Sequence, residues 1–329
     1  MMTYLEPPGT DPYFNLALEE YIFEHMPRDR AYFMLWQNDN AVVVGRYQNT
    51  LEEIDQAFVE ARGIRVVRRL SGGGAVFHDR GNLNFTFVVD QDPDGGFDFP
   101  LFTRPVLRAL EAIGVQARFN GRNDLTIGGR KFSGNAQYAR RGRLLHHGCI
   151  MLDSNVADVA GALKVKASKL ADKGVASVRS RVTTVNANAP RPVSVEEFKA
   201  LLKAQVAAEG GLKPYTLTKA DLEGVERLRR EKYATWAWNY GASPACHLRR
   251  EGRTPAGLVT AFLEVSGGCI GRIRFFGDFF GGGDLRELEE AMTGLPLDSS
   301  LEGALEGLSV GRYMNGVTPA QLCRILLET

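Results

Sequence analysis

Short apolar runs that end at glycines are the feature of this sequence that most constrains its fold. Segments 41–45, 64–68 and 84–89 are rich in β-branched and aromatic residues, which is typical of strands. Glycine pairs or triplets stand at 72–74, 128–129 and 267–268, where a chain that turns back on itself needs them. This order predicts hairpins instead of a strict alternation of strands and helices, and hence a mixed or mostly antiparallel sheet.

Helical periodicity is interleaved with these strands. Asp11 followed by Pro12 is a typical N-cap and first-turn pair, and apolar residues then recur at helical spacing over 12–25. The same spacing predicts helices over 103–113, 156–163, 194–208, 218–232, 284–293, 298–307 and 318–328. Further strands are expected at 131–138 and 147–152, and a strand followed by a turn at 117–129. The predicted fold class is α+β, with mixed or antiparallel sheets flanked by helices.

A change in composition divides the chain near 236–245, a segment rich in aromatic residues, Gly and Pro. At roughly 150 residues per domain, a length of 329 residues suggests two domains. Beyond 245 all 8 basic residues are Arg, against 11 acidic residues, so this part has a net charge of −3 while 1–245 has +4. We therefore predict a larger domain over 1–245 and a small α+β domain over 246–329.

The overall composition excludes several classes of protein. Hydrophobic residues make up 44% and charged residues 24%, as in ordinary globular proteins and unlike disordered chains. A net charge of +1 gives no reason to expect a nucleic acid or a membrane as partner, and no apolar run approaches the ~20 residues that span a bilayer. The N-terminus lacks the pattern of a secretory signal, and the four cysteines form no CxxC pair. These features are typical of a cytoplasmic protein.

The first segment that suggests chemistry is RRLSGGGAVFHD, residues 68–79. Three consecutive glycines lose much backbone entropy on folding, and they can form a flexible hairpin turn or a loop whose N–H groups bind an anion. Arg68 and Arg69 before the turn, and Ser71 at its start, favour the anion-binding interpretation. The segment is not a P-loop, because no Gly-Lys-Ser/Thr follows, and not a dinucleotide-binding fingerprint, because no helix opens there.

The second segment is GRNDLTIGGRKFSGNAQ, residues 121–137, in which Lys131 lies between a Gly-Gly turn and Ser133-Gly134. A single strand lysine is commonly a solvated surface residue. The alternative is a lysine held beside a phosphate or a carbonyl, which a compact ammonium can serve together as a point charge. Asn123 and Asp124 are expected across a hairpin from it, with Asp124 a partner for either the lysine or a metal ion.

The third segment is LHHGCIMLD, residues 145–153. His146 and His147 are adjacent on a strand and therefore point to opposite faces, so a joint metal site is not expected. Cys149 at this place is either a buried spacer or an acyl-accepting nucleophile, and we favour the spacer.

The fourth segment, 164–185, carries six bases against the single acid Asp172. The bases are Lys164, Lys166, Lys169, Lys173, Arg179 and Arg181. Such a run can be a solvated basic face. Because the bases lead into Gly174 and a Ser/Arg-rich stretch, and no acids pair with them at helical spacing, we predict a mobile cationic loop that closes over a polyphosphate.

Together these segments resemble lipoate–protein ligases of the biotin/lipoate ligase superfamily. DPYFNLALEE (11–20) is similar to the family's opening helix, and RRLSGGGAVFHDRGNLNFTF (68–87) to its lipoate-binding loop. GRNDL followed by GRKFSGNAQ places Lys131 where the family carries a lysine. HHGCIML has Cys149 where the family usually has Thr or Ser, and KLADKGVASVRSRVT resembles the adenylate-binding loop. WAWNYGASPA and RFFGDFF resemble the end of the catalytic domain and the accessory C-terminal domain.

The resemblance implies a biotin/lipoate ligase-like catalytic domain and a two-step reaction. Lipoate or octanoate and Mg²⁺-ATP give the acyl-AMP and pyrophosphate, and the acyl group then passes to a specific lysine of a protein. The implied acceptors are lipoyl domains of 2-oxoacid dehydrogenase E2 subunits and the glycine-cleavage H protein. The catalytic residue implied is Lys131. Nucleotide contacts are implied for Arg69, Gly74, Ala75, Val76, Phe77, Lys131, Arg179 and Arg181. Lipoate contacts are implied for Leu16, Trp36, Arg69, Ser71, Gly72, Gly73, Gly74, Lys131 and His147.

Other functions remain open at this stage. An octanoyl or lipoyl transferase of the same superfamily would use Cys149 as a thioester nucleophile and no ATP. The basic segment 164–181 and the C-terminal domain favour the ligase, because a transferase has no pyrophosphate to hold. A non-catalytic acyl or nucleotide sensor would not need Lys131 and Arg69. A biotin ligase is disfavoured because the sequences of segments 68–79 and 121–125 resemble the lipoate branch of the superfamily.

Overall fold

The computed structural model describes residues 1–91, 97–164, 181–240 and 248–327. In its N-terminal part the strands are β1 (Met2–Leu5), β2 (Ala31–Trp36), β3 (Ala41–Val44), β4 (Arg65–Arg68), β5 (Val76–His78), β6 (Asn82–Asp90), β7 (Arg118–Asn120), β8 (Asp124–Ile127), β9 (Arg130–Arg140), β10 (Arg143–Met151) and β11 (Leu212–Pro214). The helices are α1 (Pro12–His25), α2 (Thr50–Glu53), α3 (Gln56–Ala61), α4 (Phe99–Ala112), α5 (Val156–Ala162), α6 (Val195–Ala208), α7 (Lys219–Leu228) and α8 (Trp236–Asn239). A π-helical turn, Arg229–Tyr233, follows α7.

The C-terminal part of the described chain is a three-stranded antiparallel sheet packed against short helices. Its strands are β12 (Leu248–Thr254), β13 (Gly257–Ser266) and β14 (Cys269–Gly277). Its helices are α9 (Leu285–Ala291), α10 (Leu301–Glu306), α11 (Val310–Tyr313) and α12 (Pro319–Leu327). Apolar side chains of the sheet and the helices share one buried cluster, which also takes in Tyr47 from the N-terminal part.

Two sheets organise the N-terminal part as far as it is described. The large sheet has eight strands in the order β11-β1-β2-β6-β10-β9-β8-β7. The pairs β11–β1 and β1–β2 are parallel, and the pairs from β2–β6 onward are antiparallel. The small sheet has the order β4-β3-β5, with one parallel and one antiparallel pair. The predicted α+β class with mixed sheets is confirmed.

Glycine pairs make the tight turns between neighbouring strands. Gly128 and Gly129 join β8 to β9 with φ of +55° and +78°, and Gly267 and Gly268 join β13 to β14 with +59° and +77°. Positive φ at both central residues is the type I′ turn, which matches the twist of a hairpin and which glycine adopts without steric penalty. The hairpins expected from these pairs are therefore present.

Helices cover both faces of the large sheet. One buried cluster joins its strands to α4 and α6, and another joins them to α1. Helix α1 begins as predicted: the carboxylate of Asp11 accepts a hydrogen bond from the Tyr13 amide, and Pro12 occupies the first turn. These two layers pack on either side of β6, β9 and β10, and these strands carry most of the candidate site.

The structure contains elements that the sequence pattern did not reveal. Strand β2 is a continuous apolar run, AYFMLW, because five of its six residues are buried, so it lacks the alternation that identifies a strand. Strand β12 alternates but is polar, LRREGRT. The segment 117–129, expected to hold one strand, holds β7 and β8 as a hairpin. Strands β1 and β11 have only four and three residues.

Candidate active site

A cavity of about 270 Å³ lies where the large sheet, the small sheet and the C-terminal part meet. Strands β2, β6, β9 and β10 contribute to its wall, as do α1 and the turn between β4 and β5. Cys149 and Asp124 lie in this wall. The other wall residues for which the sequence implied a ligand contact are Leu16, Trp36, Arg69, Gly74, Ala75, Val76, Lys131 and His147.

Lys131 lies at the more exposed end of the cavity. Its Nζ atom is 2.7 Å from Oδ1 of Asp124, and the two side chains are 37% and 36% exposed. The β8–β9 hairpin pairs Asp124 with Gly134, so the lysine side chain crosses Gly134 to reach the carboxylate. A Cβ atom at Gly134 would lie 2.9 Å from Nζ, so the end of the lysine side chain lies directly against this glycine. Of the two partners expected for Asp124, the structure shows the lysine.

Arg69 holds the turn between β4 and β5 in shape. Its guanidinium donates hydrogen bonds to Oγ of Ser71 and to the carbonyl oxygens of Val43, Gly72 and Gly74, at 2.6–3.1 Å. Burial lowers the pKa of Arg69 to about 10, so it stays charged near neutral pH. One guanidinium thus orders the glycine turn and places a positive charge in the cavity wall.

Arg68, which the sequence paired with Arg69 as a source of positive charge, points elsewhere. Its guanidinium donates to the carbonyl oxygens of Gly45, Arg46, Gln48, Trp238 and Asn239 and to Oγ1 of Thr50. All these partners belong to the segments that flank the small sheet. Arg68 therefore has a structural role, because its donors are used within the protein.

Several residues of the glycine turn are not in the cavity wall. A Cβ atom at Gly72 would lie 2.0 Å from the carbonyl oxygen of Phe279, and the Gly73 amide donates to that same oxygen at 3.4 Å. Ser71 is fully buried, and Phe77 packs in the apolar cluster of the small sheet. The structure thus gives Gly72 and Gly73 a contact with the C-terminal part, where the sequence suggested a contact with an anion.

The inner wall of the cavity is closed and partly apolar. Leu16 comes from α1, Trp36 from β2 and His147 from β10, and their exposures are 1%, 3% and 7%. In contrast to Lys131, these side chains are shielded from solvent. A site that is shielded and partly apolar at its inner end and charged at its more exposed end fits a ligand with an apolar chain and an anionic head.

The wall also contains polar residues that sequence reasoning missed. His78 is buried, and its Nδ1 atom is 3.2 Å from Nδ2 of Asn38. Burial lowers the pKa of His78 to about 3, so the imidazole is neutral. Asn84, on β6, pairs with Trp36 of β2 on one side and with Cys149 of β10 on the other. Both were visible in the sequence within or beside the quoted motif, but no spacing rule distinguishes them from core residues.

The C-terminal part contributes Asp278 to the cavity wall. Its Oδ1 atom accepts a hydrogen bond from the Leu258 amide at 2.6 Å, and its carbonyl oxygen accepts one from Arg122 at 3.2 Å. The Arg122 guanidinium also lies 4.7 Å from the centre of the Phe280 ring. The cavity is thus built from both parts of the chain, which the sequence analysis did not anticipate.

Cys149 is in the cavity wall but is poorly placed to act as a nucleophile. It is 8% exposed, and its Sγ atom contacts the carbonyl oxygen of Gly134 at 3.7 Å. Burial raises the pKa of the Cys149 thiol, which disfavours the thiolate that nucleophilic attack requires.

Most of the basic segment 164–181 lies outside the described residues, including Lys166, Lys169, Lys173 and Arg179. Arg181 is described and is not in the cavity wall. Among the described residues, no group of three or more His, Cys, Asp or Glu side chains is arranged to hold a metal ion. No helix in that part of the chain is both long and apolar enough to cross a membrane.

The fold and the cavity define a class of catalytic domain. Residues 11–207 match the family described as the lipoyl protein ligase A/B catalytic domain, and residues 243–326 match the bacterial lipoate protein ligase C-terminus. The chain is 41% identical over 318 residues to lipoate–protein ligase 1 of Staphylococcus aureus, covering 96% of this chain and 97% of that protein. It is 42% identical over 312 residues to lipoate-protein ligase LplJ of Bacillus subtilis, covering 94% of each. The chain therefore belongs to the lipoate–protein ligase family and is a ligase.

Solved structures of related proteins agree with this assignment. A bi-partite lipoate protein ligase from Thermoplasma acidophilum, studied with its E2 lipoyl domain, has a TM-score of 0.65 and 29% identity over 75% of this chain and 98% of that one. A lipoate-protein ligase A bound with ATP has a TM-score of 0.62 and 27% identity over 73% and 98%. LipL1 of P. falciparum in complex with lipoate has a TM-score of 0.77 over 100% and 99%, and its 19% identity shows a shared fold.

Proposed function

We propose that this ligase activates lipoate, or octanoate, with ATP and transfers the acyl group to a lysine of a protein. The observation that carries the proposal is the position of Lys131, whose Nζ atom lies at the exposed end of a cavity with a closed inner wall. An acyl chain held by Leu16, Trp36 and His147 would present its carboxylate toward this lysine. We also propose that the chain has two domains, 1–245 and 246–329, and that the second completes the cavity of the first with Asp278.

The proposed chemistry has two steps. A carboxylate does not acylate an amine at neutral pH, because its leaving group is poor. In the first step a lipoate oxygen attacks the α-phosphorus of ATP, so an acyl–phosphate bond forms and pyrophosphate leaves. In the second step the acceptor amine attacks the carbonyl carbon, the amide forms, and AMP leaves. Lys131 and Arg69 stabilise the negative charge that develops on phosphate and carbonyl oxygens, and the cavity holds the reacting atoms together.

Asp124 fits a role toward Mg²⁺. Mg²⁺ in ATP-dependent sites is bound by one or two carboxylates together with phosphate oxygens, so the absence of a larger acidic cluster from the described residues does not conflict with it. Bound there, the ion would neutralise charge on the phosphates. Asp124 would hold it as Lys131 turns toward the nucleotide.

Three proteins of similar structure support the choice of substrates and acceptor. One was solved with ATP and one with lipoate, and a third was studied with its E2 lipoyl domain. We therefore propose E2 lipoyl domains as acceptors, with the glycine-cleavage H protein as a further acceptor from the resemblance. The transferase alternative is not favoured, because the relatives are ligases and Cys149 is buried.

Pyrophosphate release tests the proposal. The protein is incubated with lipoate, octanoate or biotin, with and without ATP, and then with an E2 lipoyl domain or H protein, whose mass is measured. We expect release with lipoate and octanoate only when ATP is present, no release with biotin, and acylation of the acceptor on one lysine. Acylation without ATP would replace the ligase with the transferase, and release with biotin would overturn the assignment of the acyl substrate.

A further inference from the structure

Glu19 is a buried carboxylate that the reaction above does not use. It lies on α1 with 1% of its side chain exposed, and it is not in the cavity wall. Its Oε1 atom accepts a hydrogen bond from Oγ1 of Thr86 at 2.7 Å. Nδ1 of His147 lies 2.8 Å and 2.9 Å from its two oxygens. Burying a carboxylate without partners costs much free energy, and here hydrogen bonds to both oxygens offset that cost.

Two chains of hydrogen bonds lead from the cavity wall to Glu19. In the first, Nε1 of Trp36 donates to Oγ1 of Thr86 at 2.9 Å, and Thr86 donates to Glu19. In the second, Nε of Arg69 donates to Oγ of Ser71 at 3.0 Å, and this Oγ is 2.6 Å from Nε2 of His147. Glu19 thus lies behind both Trp36 and His147, two polar side chains of the inner wall.

The chemistry of the groups fixes the direction of the hydrogen bonds that reach Glu19. The indole of Trp36 can only donate, so the Thr86 hydroxyl accepts from it and donates onward. A carboxylate can only accept, so His147 donates to it from Nδ1. Both chains therefore end at Glu19, the acceptor on which the rotamer of Trp36 and the orientation of the His147 ring depend.

We propose that Glu19 is the positioning residue of the acyl pocket and that it determines which acyl chain the pocket accepts. This inference rests on the proposed function, since it takes Trp36 and His147 as the walls that meet the acyl chain. With Glu19 in place the two side chains have one arrangement each, so the pocket has one width. Without it, both side chains lose their acceptor and the pocket no longer selects for the lipoyl group.

Ser71, His147 and Glu19 are hydrogen-bonded in the order of a serine-protease catalytic triad, but the geometry does not support hydrolysis. Ser71 is fully buried and is not in the cavity wall, and its oxygen already accepts from Arg69. A nucleophilic serine needs access to the carbonyl carbon of its substrate. Labelling of Ser71 by a fluorophosphonate would overturn the positioning role in favour of a hydrolytic one.

Glu19→Gln tests the proposal, with Glu20→Gln as the matched control. Gln has the shape of Glu, but its amide N–H₂ meets a donor from Thr86 or His147. Glu20 is the neighbouring acid on α1, and it pairs instead with Lys232 and Tyr233. We expect the Kd for lipoate, measured by calorimetry without ATP, to rise by about 10- to 100-fold in E19Q and by less than about 2-fold in E20Q. Unchanged lipoate binding in E19Q would overturn the proposal.

Kinetics separate positioning from a general loss of structure. We expect E19Q to raise KM for lipoate by about 10- to 100-fold and KM for ATP by less than about 3-fold. Equal increases of both KM values, with a lowered melting temperature, would show that Glu19 only supports the fold and would overturn the proposal. Because calorimetry needs no turnover, it remains informative even if the wild type forms no adenylate, a result that would contradict the proposed function alone.

A second pair of variants acts through Thr86 and keeps the carboxylate of Glu19 itself. Thr86→Val removes the hydroxyl that links Trp36 to Glu19, and Thr86→Ser keeps it. We expect T86V to lower the ratio of kcat/KM for lipoate to that for octanoate by about 3- to 10-fold, and T86S to keep the wild-type ratio. Wild-type ratios in both variants would overturn the role of this chain in selecting the acyl group.

Discussion

The two ends of the cavity treat charge in opposite ways. At the outer end, Lys131 and Asp124 are each about one third exposed, and each has the other as partner. At the inner end, the side chains of Glu19 and His147 are 1% and 9% exposed and bind each other. An arriving anion can replace Asp124 as partner of Lys131 at little desolvation penalty, whereas the charge of Glu19 is already committed to protein donors.

This difference indicates that the outer end of the cavity determines the reaction and the inner end determines the shape of the pocket. Changes at the outer end should alter the reaction and leave the fold intact, because exposed ion pairs contribute little to stability. Changes at the inner end should alter the shape of the acyl pocket, and changes at the packed glycine turn should alter the fold, because buried groups there have no solvent to replace a lost partner.

Lys131→Ala should reduce acyl-adenylate formation by about 10²- to 10³-fold, the usual effect of losing one preorganised electrostatic contact. The melting temperature should stay within about 2 °C of wild type, because the side chain is partly exposed. Arg130→Ala is the control, since Arg130 is an exposed neighbour on the same strand. Adenylate formation by K131A at the wild-type rate would remove this lysine from the site.

Gly72→Ala should destabilise the protein by about 2–3 kcal/mol, since overpacking of a well-packed site has this magnitude. The added Cβ would lie 2.0 Å from the carbonyl oxygen of Phe279, which is backbone and cannot rotate away. Gly74→Ala is the control for stability, because a Cβ atom there meets nothing within 4 Å. Denaturant unfolding measures both. Equal midpoints for the two variants would show that the turn yields freely to the C-terminal part.

Acid should destabilise the protein through His78. Its folded pKa is lowered to about 3, so between pH 6.5 and 3 the unfolded state binds a proton that the folded state excludes. The contribution of neutral His78 to the free energy of unfolding is therefore fully present above pH 6.5. It is lost as pH falls below this value, by about 2 kcal/mol at pH 5 for one such histidine. Burial also lowers the pKa of His146 and adds to this loss. Unfolding of His78→Gln at pH 7 and pH 5 should show a smaller loss than wild type, and an identical loss would contradict the burial argument.

Cys149→Ser should have the smallest effect, with ATP-dependent activity within about 3-fold of wild type, because the hydroxyl is close to the thiol in size. Mass spectrometry of the wild type during turnover should show no acyl thioester on this residue. A trapped thioester, with activity that does not need ATP, would show that the acyl transfer takes place at Cys149 and not at the outer end beside Lys131.

Sequence reasoning found the hairpins and the exposed lysine for clear physical reasons. The pairs Gly128-Gly129 and Gly267-Gly268 need positive φ, a local requirement that shows in the sequence itself. Lys131 lies beside one of these turns. Leu16, Trp36 and His147 entered through the family resemblance, since apolar residues and a strand histidine are common in any core.

Other features depend on contacts between distant segments, which no local pattern encodes. Arg68 and Arg69 are adjacent in sequence, and only tertiary packing shows that one binds the carbonyls of flanking segments and the other the glycine turn. Asp278 reaches the cavity from the C-terminal part without any motif around it. Glu19 did leave a signal: it is an acid three residues after Leu16, within the buried part of α1.

The contact between Tyr47 and Phe279 affects how a shortened form of this protein would behave. The two rings stack with their centres 4.9 Å apart, and the Gly277 amide donates to the carbonyl oxygen of Tyr47 at 2.8 Å. A chain cut before β12 would leave the aromatic ring and the backbone of Gly72 and Gly73 bare. Exposed apolar surface of this kind promotes self-association, so the larger piece would need the smaller one, supplied as a second polypeptide, to stay monodisperse during purification.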